Sequence, residues 1–331
     1  MSRKVFAAVL AAAVSFGLAG CDSSPPPERS VSFTAAGDTS LGEGAEAVLD
    51  KVKELDPDFN VHVGDMTYEK GAEKAFCDMV TGKLGADFPY QLVAGNHESN
   101  GLDGDIDKFV ECLPNKMPGL QGEYGRQWYV DVPQDQPLMR LIMVSPGLEF
   151  EDGELDYSRG SKRWQWTESA IDDAREANIP WTVVGMHTPC FSLGRYDCEA
   201  GQAFTNLMID KNVDLVVHGH EHIYQRTHQL GHGQECPSMS VDTVTPECVV
   251  DSDTSLESGK GTVFVTVGLG GRDIRDVNSR DPERPYFAAW SGANKSPSLG
   301  TLAVKVTSNR MEVKFEPAEG HSFTDSFSIS K

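Results

Sequence analysis

With 331 residues, the chain is long enough to bury a substantial core as one large domain or two. Its 50 acidic side chains outnumber 29 basic ones, for a formal charge of −21, which argues against nucleic acid or another polyanion as a partner. The basic residues are scattered, so a phosphate-bearing ligand would find its positive charge in metal ions rather than in a Lys/Arg patch.

The chain opens Met1-Ser2-Arg3-Lys4, runs apolar from Val5 to Leu18 and reaches Leu18-Ala19-Gly20-Cys21. A basic start, a short apolar run and small residues before a cut describe an export signal over residues 1–20, too short to stay as a spanning helix. Leu-Ala-Gly-Cys resembles the lipobox of bacterial lipoproteins. That resemblance implies cleavage before Cys21, a lipid on its thiol, and a membrane-anchored life in the periplasm or cell envelope; an ordinary secretory signal is the alternative. Asp22 resembles an enterobacterial inner-membrane retention signal. Residues 21–30, with Pro25-Pro26-Pro27, read as a short stiff tether. Residues 31–331 form the body, with no repeat or internal linker.

Beside Cys21 an even six Cys remain, a number that suggests disulfides in an exported chain. Sequence proximity favours Cys190–Cys198 and Cys236–Cys248, leaving Cys77–Cys112. None has the CxxC spacing of a zinc or redox site.

In the body, residues 31–35 alternate as a strand and end at Gly37-Asp38. Ala45, Val48, Leu49, Val52 and Leu55 recur at helical spacing until Pro57. Residues 59–63 are a second strand, ending at Gly64-Asp65, with Tyr68 three positions on. A helix over 70–84 leads to a third strand, 90–94, ending at Gly95-Asn96-His97-Glu98. Strands follow at 127–132 and 138–144. Ser161 opens a helix marked by Trp164, Thr167, Ile171 and Ala174. Residues 181–186 are a strand ending at His187, and Phe204, Leu207 and Met208 mark another helix. Residues 213–217 end at His218-Gly219-His220. Residues 233–261 are polar and read as a long surface loop clipped by Cys236 and Cys248. A strand over 262–267 runs into Gly268-Leu269-Gly270-Gly271. A hairpin closes the chain, 302–306 against 311–315, turning at Ser308-Asn309.

Strands alternating with helices, then late strands, describe an α/β sandwich of two sheets flanked by helices. Five strand ends carry Asp38, Asp65, Asn96, His187 and the pair His218 and His220, each directly after an apolar run. Strand C-termini are where open α/β sheets bind ligands, and every one of these groups is an oxygen or imidazole donor.

In this order the blocks Gly37-Asp38, Gly64-Asp65-Met66-Thr67-Tyr68, Gly95-Asn96-His97-Glu98, His187 and His218-Gly219-His220 resemble the calcineurin-like metallophosphoesterases. Ser40 stands where many members have the His of Asp-x-His, and Tyr68 follows Asp65 by three. That paired change resembles the purple acid phosphatases, of a short type without the plant enzymes' N-terminal sandwich. The resemblance runs from about residue 31 to 271 and implies a four-layer α/β/β/α sandwich of two mixed sheets. It also implies two metal ions: Fe3+ on Asp38, Tyr68 and His220, and Fe2+, Zn2+ or Mn2+ on Asn96, His187 and His218, bridged by Asp65. Hard anionic donors suit the trivalent ion and the more neutral set suits a divalent one. His97 is similar to the family's leaving-group residue.

The implied activity is hydrolysis of phosphate monoesters, on small molecules or phosphoproteins, by a metal-bound hydroxide. A diesterase or nucleotide hydrolase on the same core, or a non-catalytic anchored binding protein, are the competing readings. Among other residues, His62 reads as structural, and His222 as an outer hydrogen-bond partner or a surface loop residue. Gly268 to Gly271 read as a close backbone approach or a turn. Arg195 is a candidate substrate contact in a loop that lacks the plant enzymes' additional His residues.

Overall fold

The computed structural model describes residues 28–113, 115–241 and 243–331. The export signal, Cys21 and most of the tether lie outside the described residues. Two mixed sheets pack face to face. The first runs, in order of hydrogen-bonded neighbours, Ser255–Glu257, Asp325–Ser330, Arg310–Pro317, Gly300–Val306, Val31–Ala36, Phe59–His62 and Tyr90–Leu92. The second runs Phe287–Ser291, Tyr224–Thr227, Val263–Val267, Leu215–His218, Trp181–Gly185, Met139–Met143, Gln127–Val132 and Gln121–Glu123.

The central strands are parallel: Val31–Ala36 with Phe59–His62 and then Tyr90–Leu92, and Trp181–Gly185 with Leu215–His218 and then Val263–Val267. Parallel strands are buried on both faces, which explains the apolar runs Leu215-Val216-Val217 and Val263-Phe264-Val265; in the first sheet the buried Thr34 and Asn60 interrupt the pattern and satisfy each other at 2.8 Å. Period-two alternation sends Phe33, Phe59, Val61, Val183, Val217 and Val265 between the sheets, while Val184, Val216 and Phe264 face Trp164, Phe204 and Leu207 of the helices Lys162–Glu176 and Gln202–Asp210.

On the other side, the helix Glu43–Leu55 buries Ala45, Val48, Leu49 and Val52, the stripe its spacing dictates, and ends where Asp56 turns left-handed at φ 48°. Ser161 caps its helix by accepting the Trp164 N–H at 3.1 Å. The layers are therefore helix, sheet, sheet, helix.

The late strands Arg310–Pro317 and Gly300–Val306 pair as the expected hairpin, with Met311, Val313 and Phe315 buried and Arg310, Glu312 and Lys314 exposed. The polar segment 233–261 is more ordered than its composition suggests. Within it, Val249–Asp251 pairs with Gln229–Leu230, and Ser255–Glu257 adds a parallel edge strand beside Asp325–Ser330. A three-residue edge strand has too short a pattern to read, and its register comes from its neighbour. The three disulfides are Cys77–Cys112, Cys190–Cys198 and Cys236–Cys248.

Candidate metal centre

The parallel strands from both sheets end at one edge, and each delivers a polar group there. Three of these groups, Asp38, Asp65 and His220, are held left-handed at φ 57°, 56° and 68°. Non-glycine residues are uncommon in that region, and such strain concentrates at functional sites. Glycines beside them permit the close approach. A Cβ on Gly95 would lie 2.1 Å from Asp65 Oδ1, and one on Gly64 would lie 2.5 Å from His187 Nδ1.

Asp65, His187 and His220, all buried, bring one donor atom each within 4.8 Å of one another. His187 Nδ1 donates to the Val63 carbonyl at 2.8 Å, which leaves Nε2 as the free lone pair. That Nε2 lies 3.1 Å from Asn96 Oδ1, 3.1 Å from His220 Nδ1 and 3.3 Å from Asp65 Oδ1. On its other side, His220 Nε2 lies 3.0 Å from Glu199. Asn96, His187, His220 and Asp65 thus form one donor set.

The second set surrounds Asp38. The Tyr68 hydroxyl lies 3.0 Å from Asp38 Oδ1 and 3.0 Å from His222 Nε2. His222 Nε2 is itself 3.4 Å from Asp38 Oδ1, and its Nδ1 donates to the Asp273 carbonyl at 2.9 Å, so its free lone pair faces Tyr68 and Asp38. Asp38 Oδ2 accepts the His220 N–H at 2.7 Å, tying the two sets together.

Here the structure corrects the expected His pair, because His218 does not join either set. As the last residue of its strand it follows the alternation of Val216 onto the helix-covered face and stacks on Phe264, with ring centroids 5.9 Å apart and planes at 5°. Burial holds it neutral down to about 3, helped by the charge of His187. The backbone then kinks at Gly219 and His220, where the Glu221 N–H donates to the Gly219 carbonyl at 2.8 Å, and this brings His220 and His222 to the edge together. The pair is therefore His220 with His222 around Glu221. His220 falls in the Asn96 and His187 set, and His222 stands beside Tyr68 where His220 was expected. The signal was present as Gly219-His220-Glu221-His222, but counting outward from Gly219 selected the wrong neighbour.

The donor chemistry fits two cations. Asp38 and Asp65 are fully buried, yet no Lys or Arg side chain pairs with either among the described residues. Buried carboxylates need a positive partner. Burial alone would depress His187, but the charges of Asp65 and Asp38 outweigh it and push this imidazole up to about 10. Burial and the same carboxylates raise the Tyr68 phenol well above its ordinary value, so a bound cation must displace its proton to recruit it as phenolate.

His97 stands at the mouth. Its N–H donates to Asp65 Oδ1 at 3.1 Å, its Nδ1 donates to Asp103, and its Nε2 lies 3.8 Å from Asp65 Oδ2. Sequence reasoning passed over two buried acids that organise the site. Glu98 accepts the N–H groups of Asp65, Met66 and Gly95 at 3.0, 2.6 and 2.9 Å, clamping two strand-end turns. Burial first, and then the charge of Asp65, pushes it up to about 8. Glu221 accepts the N–H groups of Arg195 and Tyr196 at 2.6 and 2.5 Å, pinning their loop beside His220. Their position next to metal-site residues was the available signal.

His62 is structural. It lies 2.7 Å from Thr39 Oγ1 and sits between Phe76 and Tyr90. The Gly268 to Gly271 stretch is a close approach: Gly270 N–H donates to Gly37 O at 2.9 Å and Arg272 N–H to Asp38 O at 3.0 Å. Arg195 is exposed on the rim, its guanidinium carbon 5.7 Å from the Tyr196 ring.

Two donor sets, tied together where Asp38 accepts the His220 N–H, stand at the carboxyl edge of two packed sheets as a candidate dinuclear metal centre. The chain belongs to the calcineurin-like phosphoesterase family, whose pattern matches residues 32–224. It is similar to purple acid phosphatase 18 of Arabidopsis thaliana, 23% identical over 80% of this chain and 55% of the relative. It is also similar to an uncharacterized protein of Mycobacterium tuberculosis, 28% identical over 66% of this chain and 43% of the relative. The chain spans about half the length of these curated relatives. Among solved structures, a purple acid phosphatase from yellow lupin (Lupinus luteus) seeds shares the fold with a TM-score of 0.62 at 18% identity, covering 93% of this chain and 55% of that one.

Proposed function

We propose that this phosphoesterase hydrolyses phosphate monoesters in the manner of a purple acid phosphatase. The observation that carries the reading is the Tyr68 hydroxyl, 3.0 Å from both Asp38 Oδ1 and His222 Nε2. A carboxylate and a phenol that can ionise are hard anionic donors suited to Fe3+, with the His222 imidazole completing the point on which they converge, while the more neutral Asn96, His187 and His220 suit Fe2+, Zn2+ or Mn2+. Asp65, whose carboxylate reaches the His187 side and sits under His97, is the bridging candidate. When bound, two such cations clamp a phosphate and supply a hydroxide nucleophile at mild pH.

The chain's own residues do the remainder. Asp103 fixes the His97 ring by accepting from Nδ1, so that Nε2 faces the centre and can give its proton to the departing alkoxide. Glu98 and Glu221 hold the turns that aim Asp65, Asn96 and the Tyr196 loop.

The export signal and the Leu-Ala-Gly-Cys sequence support an envelope protein tethered to a membrane by a lipid on Cys21, and three disulfides agree with an oxidising compartment. The test is hydrolysis of phenyl phosphate and its diester side by side from acid to neutral pH, with metal content and the visible spectrum recorded. Monoester preference with a tyrosinate–iron band is the expected result. Diester preference, or metal content near zero, overturns the reading.

A further inference from the structure

Resting on the monoester reading, we propose that a rim of three arginines selects substrates whose leaving group carries a second anion, a phosphoryl or carboxylate group. The rim is built onto the metal-binding residues by the backbone. Arg272 N–H donates to the Asp38 carbonyl at 3.0 Å, and Arg275 N–H to the His222 carbonyl at 2.9 Å. Arg195 N–H is held by the buried Glu221 at 2.6 Å. Each arginine therefore moves with the site.

Their side chains gather on the aromatic groups at the mouth. The Arg272 guanidinium carbon lies 4.4 Å from the Tyr68 ring centroid. Tyr196 stacks on His220 at 4.1 Å, and Arg275 and Arg195 lie 5.3 and 5.7 Å from the Tyr196 centroid. Arg275 Nη1 also reaches the His220 carbonyl at 3.4 Å.

These charges are not needed to balance the site. Asp38 and Asp65 are not paired with them, and the bound cations would meet that need. Arg272 has only an exposed pairing with Asp273, 2.8 Å away, which solvent weakens. Among the described residues, Arg195 and Arg275 have no ion-pair partner. In a chain of net charge −21, three guanidiniums gather around one opening, with Asp273 and Glu199 as its acidic neighbours. Guanidinium forks match both phosphate and carboxylate. With the reacting phosphate directed to the side chains that would hold the cations, the rim is left to meet whatever the leaving group presents.

The experiment compares metal-loaded wild type with R272Q/R275Q and R195Q variants on phenyl phosphate, 4-carboxyphenyl phosphate and hydroquinone bisphosphate. The expected wild-type preference in kcat/KM for the doubly anionic esters is about tenfold or more, the scale of a hydrogen bond to a charged group. It should sit mainly in KM and collapse towards unity in R272Q/R275Q, with R195Q between. Which of the two anionic esters gains more tells phosphoryl from carboxylate recognition.

A preference unchanged in the variants, or an equal loss on all three esters, overturns the proposal. Calorimetric titration with phenylphosphonate and 1,4-phenylene bisphosphonate reads the same selectivity without turnover. Should no ester be hydrolysed, the monoester reading falls while this titration still decides the rim: selectivity that the double variant loses supports it, and no selectivity refutes it.

Discussion

Replacing His222 and His218 separately tests the site's central rearrangement. His222 Nε2 lies within 3.0 Å of Tyr68 and 3.4 Å of Asp38, whereas His218 Nδ1 has no partner and its ring lies flat on Phe264. His222→Ala removes one of four side chains available to the first cation. Removing an outer partner of a ligand costs 10–100-fold in affinity. Losing a ligand itself should cost more than about 100-fold, or about 3 kcal/mol.

His218→Leu removes an unsatisfied buried nitrogen, a burden of about 1–3 kcal/mol, in exchange for lost ring packing, so stability should change little. Metal content by elemental analysis after dialysis against a graded chelator, and urea denaturation of the same samples, give both numbers. His222→Ala should release about half of the metal first and His218→Leu none. Metal loss in His218→Leu matching that in His222→Ala would refute the assignment.

Tyr68→Phe should bleach any visible tyrosinate–iron band while leaving the second cation bound, read by absorbance alongside metal content. Asp103→Asn leaves His97 Nδ1 without its carboxylate; kcat should fall about 10–100-fold on esters with poor leaving groups and far less on p-nitrophenyl phosphate, which needs little protonation. Burial, only partly offset by the charges of Asp38 and Asp65, lowers His62 from 6.5 to about 4. The unfolded chain therefore binds the proton first as pH falls, and stability present above pH 6.5 is lost towards pH 4. Between pH 7.5 and 5 that loss is about 2 kcal/mol. His62→Gln should lose less stability than wild type over that interval by this amount in urea denaturation; an equal loss would show that His62 does not titrate so.

Much of this molecule was legible from the sequence because its parallel strands are buried on both faces. Their apolar and β-branched residues therefore stand out, and each such stretch ends at a residue that must do something else: Asp38, Asp65, Asn96 or His187. Helix stripes such as Ala45, Val48, Leu49 and Val52 were equally plain. Short edge strands were not, since three residues such as Ser255–Glu257 carry too little pattern and take their place from the sheet beside them.

The choice between His218 and His222 also lay beyond the sequence reading. It depends on which face the last strand residue takes and on a left-handed turn at His220, both set by packing against Phe264 and by the Gly219 kink. Of the arginine rim, the sequence offered Arg195 alone as a candidate substrate contact. It lies far along the chain from Arg272 and Arg275, and the hydrogen bonds that tie the three backbones to Glu221, Asp38 and His222 bring them to one opening. Local pattern determined the strands and most of the donors; long-range contact decided which side chains face each other.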